Sequence, residues 1–239
     1  MKIALLGYGK MGKTIAELAP PMGHEIVFHS SLDESKRIQN KELNEADLVI
    51  EFTSPASACQ NVMQCLEAGY PIVSGTTGWF HQYKNEILKK VTDLDGSFFY
   101  ASNFSIGVNI FFELNKKLAQ LMESKPDYQC SIHEIHHVHK KDAPSGTAIS
   151  LADQIIGNHS LYDQWTLPNQ DTNNLAITIQ SERIDEVPGT HSVFYRSNID
   201  EIEIKHSAYN RNGFAQGALV AASFLLGKKG FWEMKDLLQ

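Results

Sequence analysis

Residues 2–12 read KIALLGYGKMG: a short apolar run that passes without a break into Gly7-Tyr8-Gly9-Lys10-Met11-Gly12. The run at residues 2–6 has the length and composition of a buried strand, and a helical pattern follows from residue 13. Each glycine of this G-x-G-x-x-G meets a physical demand. The first makes the tight turn out of the strand, the second lets backbone come against a pyrophosphate, and the third lets helix pack on strand. The positive end of the helix dipole then faces the phosphates. An isolated glycine triplet is an ordinary turn, but one placed between a strand and a helix predicts a dinucleotide site.

Reading outward, the first half of the chain alternates strand and helix. Strands are predicted at 25–28, 47–52, 71–74 and 97–101. Helices are predicted at 13–19, stopped by Pro20-Pro21, and at 56–68 and 82–91. Such βαβα alternation with short apolar strands implies a doubly wound parallel sheet of Rossmann-like type, covered by helices. Two turns, Phe52-Thr53-Ser54-Pro55 and Gly75-Thr76-Thr77-Gly78, fall at carboxyl ends of strands, where ligands of such sheets lie. Beyond residue 103 the character changes. A helix at 110–123 is followed by a long strand at 128–138 and further strands at 174–184, 191–197 and 199–206, which implies an α+β domain with an open mixed sheet. Residues 157–173 read as a polar loop. An alanine-rich helix at 214–226, then Gly-Lys-Lys-Gly and a short helix, complete the chain.

Composition excludes several classes of function. With 239 residues, 42% hydrophobic, the chain can fill two cores, and a net charge of −7 argues against nucleic acid as a partner. No apolar stretch approaches the roughly 20 residues that span a bilayer, and the start lacks a signal-peptide pattern. Cys59, Cys65 and Cys130 show no metal spacing and leave an odd thiol, which suits a reducing compartment. The expectation is a cytoplasmic protein with no nucleic-acid or membrane partner.

A second motif carries the chemistry. Residues 134–148 read EIHHVHKKDAPSGTA. Imidazoles transfer protons near neutral pH, and the segment holds His136 and His137 shortly before Lys140. On a strand, His133, Ile135 and His137 share one face, while Glu134, His136 and Val138 share the other. A metal reading would converge His133, His137 and His139, but no further ligand completes that shell, and the expected metal content is none. Ala148, Leu151, Ala152, Ile155 and Ile156 have helical spacing, so a helix begins near Thr147. Ser145, Gly146 and Thr147 then occupy its N-terminus, where N–H groups lack intrahelical partners. Capping by Asp142 or Ser145 is the plain structural alternative to a carboxylate bound there. With Lys140, the turn makes an anion pocket beside a proton donor.

These residues resemble the 4-hydroxy-tetrahydrodipicolinate reductase (dihydrodipicolinate reductase) family, whose motif is close to E-[A/L]-H-H-x-x-K-x-D-A-P-S-G-T-A. The chain matches its fixed positions, with Ile135 in the variable one. The resemblance extends in order through the glycine loop, Phe52-Thr53, residues 75–78, Ala101-Ser102-Asn103-Phe104-Ser105, Gly107-Val108-Asn109, and Arg211 with residues 214–218. It implies an NADH- or NADPH-dependent oxidoreductase of lysine and diaminopimelate biosynthesis. It further implies that His136 protonates the substrate during hydride transfer, with Lys140 assisting and holding a carboxylate. His137, Ser145, Gly146 and Thr147 would bind the cyclic dicarboxylate. The implied cofactor set is Gly7, Gly9, Lys10, Met11, Gly12, Phe52, Thr53, Gly75, Thr76, Thr77, Ala101, Asn103, Phe104 and Arg211. The implied domains are residues 1–103 with 212–239 for the dinucleotide, and 104–211 for substrate and for assembly into a homotetramer through the sheet.

NADH and NADPH stay open as cofactors. The second strand ends in Phe28-His29-Ser30-Ser31, with Asp33 and Glu34 late for a ribose contact and Lys36 and Arg37 available to a 2′-phosphate. The glycine loop is one residue shorter than the commonest family form, and the segment after the second strand is abbreviated. Two rival readings are a semialdehyde dehydrogenase, which needs a cysteine nucleophile, and a dinucleotide sensor, which would leave residues 134–148 idle.

Overall fold

The computed structural model describes residues 1–30, 38, 42–43, 45–170, 176–210 and 212–239. The chain divides into two compact units, Met1–Ile106 with Asn212–Gln239 and Gly107–Arg211, so the first extends three residues beyond the predicted 103. Asp33, Glu34, Lys36, Arg37 and Arg211 lie outside the described residues.

In the first unit, β1 (Lys2–Leu6), β2 (Glu25–Ser30), β3 (Leu48–Glu51), β4 (Ile72–Ser74), β5 (Ser97–Tyr100) and β11 (Gly230–Trp232) form one parallel sheet. Its order is β11-β5-β4-β3-β1-β2. The chain leaves β1 toward β2 on one side and returns to β3 on the other. The switch point therefore falls between the carboxyl ends of β1 and β3, where a doubly wound sheet opens a ligand crevice. Successive residues of β1 serve opposite cores. Ile3 and Leu5 pack with Ile15 of α1 (Lys10–Leu18) and Leu219 of α6 (Asn212–Leu225). Ala4 and Leu6 pack with Val62 of α2 (Pro55–Glu67) and Ile87 of α3 (Phe80–Asp93). Both faces are thus buried, as the near-continuous apolar strands require. Each fully buried Ile or Leu contributes about 1.5–3 kcal/mol before chain entropy is subtracted.

The second unit holds most of α4 (Ile106–Met122) and a mixed sheet of β6 (Gln129–His136), β7 (Gln164–Thr166), β8 (Ala176–Arg183), β9 (Gly189–Arg196) and β10 (Glu201–Ala208). The order is β10-β9-β6-β8-β7, with β6–β8 and β7–β8 parallel and the remaining pairs antiparallel. The buried face of β6 carries Cys130, Ile132, Glu134 and His136, with Ile132 packed against Leu151 of α5 (Gly146–Ile156).

Several boundaries differ from the sequence reading. Helix α1 starts at Lys10 rather than residue 13, because Gly9 O already accepts from Lys13 N at 3.0 Å and the loop itself opens the helix. Helix α4 starts at Ile106, four residues before the predicted 110. Two short strands were missed. β7 lies inside the expected loop 157–173, and β11 precedes α7 (Met234–Leu237). Both exist through pairing with a distant neighbour, and neither has more than three residues of local pattern. Strand β6 stops at His136, so His137 lies past its end and the predicted two-face alternation does not reach it. Among the described residues no helix is long and apolar enough to cross a membrane.

Candidate active site

In the first unit, the glycine loop is shaped by its packing. Gly7 has φ 95°, and a Cβ there would stand 1.9 Å from Phe52 O. A Cβ on Gly12 would stand 2.1 Å from Gly7 O. These two glycines close the loop onto the end of β3 and onto itself. Gly9 is different, since a Cβ there would meet nothing within 4 Å. Its open side belongs to a cavity of about 360 Å³ lined by Gly9, Lys10, Met11, Phe52, Thr53, Pro55, Gly75, Thr76 and Thr77. The structure thus brings together residues from the loops after β1, β3 and β4, at the switch point. Pro55 is the addition to the predicted set. Phe104 is buried and packs its ring against Phe99 and Phe52, at centroid distances of 5.9 and 5.8 Å, so it backs the wall. Asn103 Oδ1 accepts from Ser105 N at 2.9 Å, and Ala101 is buried in the core; neither lines the cavity. A backbone loop with open space over its middle glycine, at a helix N-terminus, fits the phosphates of a dinucleotide.

Behind this wall sits Glu51, which the sequence reading did not single out. It is fully buried, and its carboxylate accepts from Ser74 Oγ at 2.5 Å, Thr76 Oγ1 at 2.7 Å and Thr53 N at 2.9 Å, and also from Thr53 Oγ1.

In the second unit, His136 ends β6 as a buried side chain whose Nδ1 meets Glu134 Oε2. Glu134 is fully buried as well. Its Oε1 accepts from Arg183 Nη2 at 3.0 Å and from Ser145 N at 3.2 Å. Burial opposes ionisation of Glu134, but bonding to His136 and Arg183 outweighs it and holds the carboxyl well below the usual range. His191, opposite Glu134 on β9, contacts Ser145 Oγ at 3.0 Å, and its ring centroid lies 5.0 Å from that of His136. Burial pushes His191 down to about 3, and the neighbouring His136 adds to this. The other ring nitrogen, His136 Nε2, lies over Gly189. That residue has φ 156°, and a Cβ there would come within 3.0 Å of the nitrogen.

The turn that follows is fixed from the same cluster. Arg183 Nη2 donates to Asp142 O at 2.5 Å and Nε to Lys140 O at 3.4 Å, which pins residues 140–142 to β8. Lys140 Nζ lies 2.9 and 2.7 Å from the two Asp142 oxygens, and it holds the Asp142 carboxyl below its ordinary range. Ser145 caps α5, its Oγ accepting from Ala148 N at 3.2 Å. The hydroxyl and N–H of Ser145 are therefore both engaged within the protein. Gly146 is exposed and Thr147 half-buried. Their N–H groups lie in the first turn, where a helix supplies no partner. His133 and His139 go to separate carboxylates, Glu182 at 3.0 Å and Glu186 at 3.6 Å, rather than converging with His137. Among the described residues the group with metal-ligand spacing is Glu134, His136 and His191, and Arg183 already places a cation on that carboxylate.

Comparison with known proteins accounts for both halves. Residues 1–104 match the family model described as "Dihydrodipicolinate reductase, N-terminus", and residues 107–238 match "Dihydrodipicolinate reductase, C-terminus". The chain belongs to the dihydrodipicolinate reductase family. It is 50% identical over 242 residues to the 4-hydroxy-tetrahydrodipicolinate reductase of Christiangramia forsetii, covering 100% of this chain and 98% of that protein. It is 34% identical over 244 residues to the Thermosipho africanus enzyme of the same name, again with 100% and 98% coverage. Among solved structures, the dipicolinate-bound dihydrodipicolinate reductase from Paenisporosarcina sp. TG-14 has the same fold. Its TM-score is 0.78 at 22% identity, over 98% of this chain and 97% of that one.

Within this family frame, sequence reasoning missed Glu134, Arg183, Gly189 and His191. Glu134 was within reach, because it alternates with His136 on one strand face. Arg183 and His191 arrive only through the β6–β8 and β6–β9 registers, which no local pattern announces.

Proposed function

We propose that the protein reduces 4-hydroxy-tetrahydrodipicolinate to tetrahydrodipicolinate in lysine and diaminopimelate biosynthesis, as a cytoplasmic enzyme using NADH or NADPH. Full-length likeness to relatives named for that reductase supports the reaction. The observation that carries the assignment of roles is the cluster in the second unit. There a buried carboxylate–imidazole pair, Glu134 and His136, stands beside the N-terminus of α5 and Lys140.

The bound dinucleotide supplies a hydride. Gly9, Lys10 and Met11 would hold its phosphates, and Phe52, Thr53, Gly75, Thr76 and Thr77 of the same cavity would line the rest of it. His136 delivers the proton from Nε2, the nitrogen that Glu134 leaves uncommitted. Glu134 fixes the ring from the Nδ1 side, while Gly189 keeps the approach to Nε2 clear. The substrate's carboxylates fall to the N–H groups of Gly146 and Thr147, to Lys140 and to His137, while Ser145 holds the turn. Lys140 would exchange Asp142 for a substrate carboxylate. The pair given up is largely exposed on the Asp142 side, and such pairs are worth only about 0–1 kcal/mol. Assembly into a homotetramer through the second unit's sheet belongs to the same reading.

The semialdehyde dehydrogenase alternative needs a thiolate. Burial raises the pKa of Cys59 and Cys65 and pushes Cys130 up to about 12, which leaves none suited to that role. Growth of a bacterium lacking its own reductase tests the proposal. The chain should restore growth without added diaminopimelate and its His136→Gln variant should not. Failure of the unmodified, well-expressed chain to complement would refute the reading.

A further inference from the structure

Glu51 carries an inference that rests on the cofactor reading above and goes beyond it. Glu51 sits in a network of donors that suits an ionised carboxylate. Thr76 Oγ1 accepts from Thr53 N at 2.8 Å, which leaves its own hydrogen available to Glu51 Oε1 at 2.7 Å. Thr53 Oγ1 accepts from Ser57 Oγ at 3.0 Å and Asn61 Nδ2 at 3.3 Å, which leaves its hydrogen available to Oε1 as well. The Thr53 N–H can only donate, and the Ser74 hydroxyl lies 2.5 Å from Oε2, within donating reach. An ionised carboxylate can accept at every one of these contacts. Among the described residues no salt bridge involves Glu51, and its carboxyl is held by hydrogen bonds from Thr53, Ser74 and Thr76.

Its position gives the charge a use. Thr53 and Thr76, both bonded to Glu51, line the cavity at the switch point. Burial raises the Tyr100 hydroxyl and the Cys65 thiol, and the nearby Glu51 carboxylate adds to both. An oxidised nicotinamide ring carries a positive charge that the reduced ring lacks. A fixed anion behind the wall attracts one form and is nearly indifferent to the other.

We propose that Glu51 is an ionised, electrostatic positioning residue that ties the loops after β3 and β4 together and poises the bound cofactor, favouring the oxidised dinucleotide relative to the reduced one. Such a bias stabilises the charge that accumulates on the ring as hydride leaves. At a separation of about 10 Å and an effective dielectric of about 20, one charge alters the ratio of the two affinities roughly tenfold.

The test is the ratio of dissociation constants for oxidised and reduced dinucleotide, measured by fluorescence titration with both NAD⁺/NADH and NADP⁺/NADPH. Glu51→Gln can keep all three bonds to Oε1 and donate from its amide to Ser74 Oγ, which makes it a charge deletion of nearly constant shape. In that variant the oxidised form should weaken roughly tenfold more than the reduced form. Glu51→Asp retains the charge and should hold the ratio within about twofold, even if both affinities fall. Equal loss of both forms in Glu51→Gln, or an Asp variant that shifts the ratio as far as Gln does, would overturn the proposal while leaving the cofactor site intact. A Gln variant that does not fold would contradict the one-for-one exchange of bonds. An unmodified chain that binds neither dinucleotide would instead refute the cofactor reading itself.

Discussion

Replacing Gly9 by alanine separates the dinucleotide account from mere loop architecture. Gly9 is the N-cap of α1, with φ −77° and ψ −158°, an extended conformation open to any residue. A Cβ there has nothing within 4 Å, so the fold loses only the mild N-cap preference of glycine over alanine. That is about 1 kcal/mol at most, a fall in Tm of about 4 °C or less for a chain of this length. The methyl group does, however, project into the cavity over the backbone where phosphate must approach. Overfilling a closely packed contact costs about 1–3 kcal/mol, so the dinucleotide Kd should rise about 5- to 150-fold. Gly12→Ala makes the contrast, because its Cβ falls 2.1 Å from Gly7 O, inside the loop. That clash must be relieved by moving backbone, and the loss should appear as a Tm lowered by several degrees more than in Gly9→Ala. Thermal melting, with fluorescence titration of NADH and NADPH, reads both effects. A Gly9→Ala protein that binds dinucleotide like the parent would refute the reasoning, as would one that melts as low as Gly12→Ala.

Three further expectations concern the second unit. His136→Gln should lower kcat by about two orders of magnitude or more, the usual scale for a general acid, and near-normal turnover would remove it from that role. Lys140→Ala should reduce kcat and raise KM together, and an unchanged KM would count against carboxylate binding. Stability should decline in acid with a definite sign. His191 titrates near 3 in the folded chain against an ordinary 6.5, so the unfolded chain binds the extra proton throughout that window. Stability then falls with decreasing pH at up to about 1.4 kcal/mol per unit for this group. The lowered Glu134 carboxyl acts in the same direction, its contribution present above the ordinary carboxylate range and lost as pH falls toward its folded value. His191→Asn should therefore flatten the acid limb of the unfolding curve between about pH 6 and 4, and an unchanged slope would contradict the buried neutral imidazole.

The sheet of the first unit was legible because its signals are local: continuous apolar strands, glycines at fixed offsets and turns at strand ends. β11 was not, since Gly230, Phe231 and Trp232 become a strand only by pairing with Ser97, Phe98 and Phe99, more than a hundred positions away. The same division runs through the site. His136, Lys140 and the α5 N-terminus could be named from one contiguous segment, and of its two N-cap candidates Ser145 caps α5. What holds them could not be named. Arg183 reaches Glu134 from a strand forty-nine positions on, and its bonds to the backbone at Lys140 and Asp142 depend on the parallel register of β6 and β8. Glu51 was hidden for another reason. On a buried parallel strand an acidic residue breaks the apolar run, and its meaning emerges only once Ser74 and Thr76 of the next strand and loop converge on it.

The central claim is the reaction, and steady-state oxidation of reduced dinucleotide tests it most directly. Purified protein would be given NADH or NADPH, with and without 4-hydroxy-tetrahydrodipicolinate freshly generated by its synthase. Substrate-dependent oxidation with at least one cofactor, greatly reduced in His136→Gln, is the predicted result. A folded protein that binds dinucleotide but oxidises neither cofactor in response to substrate would contradict the account.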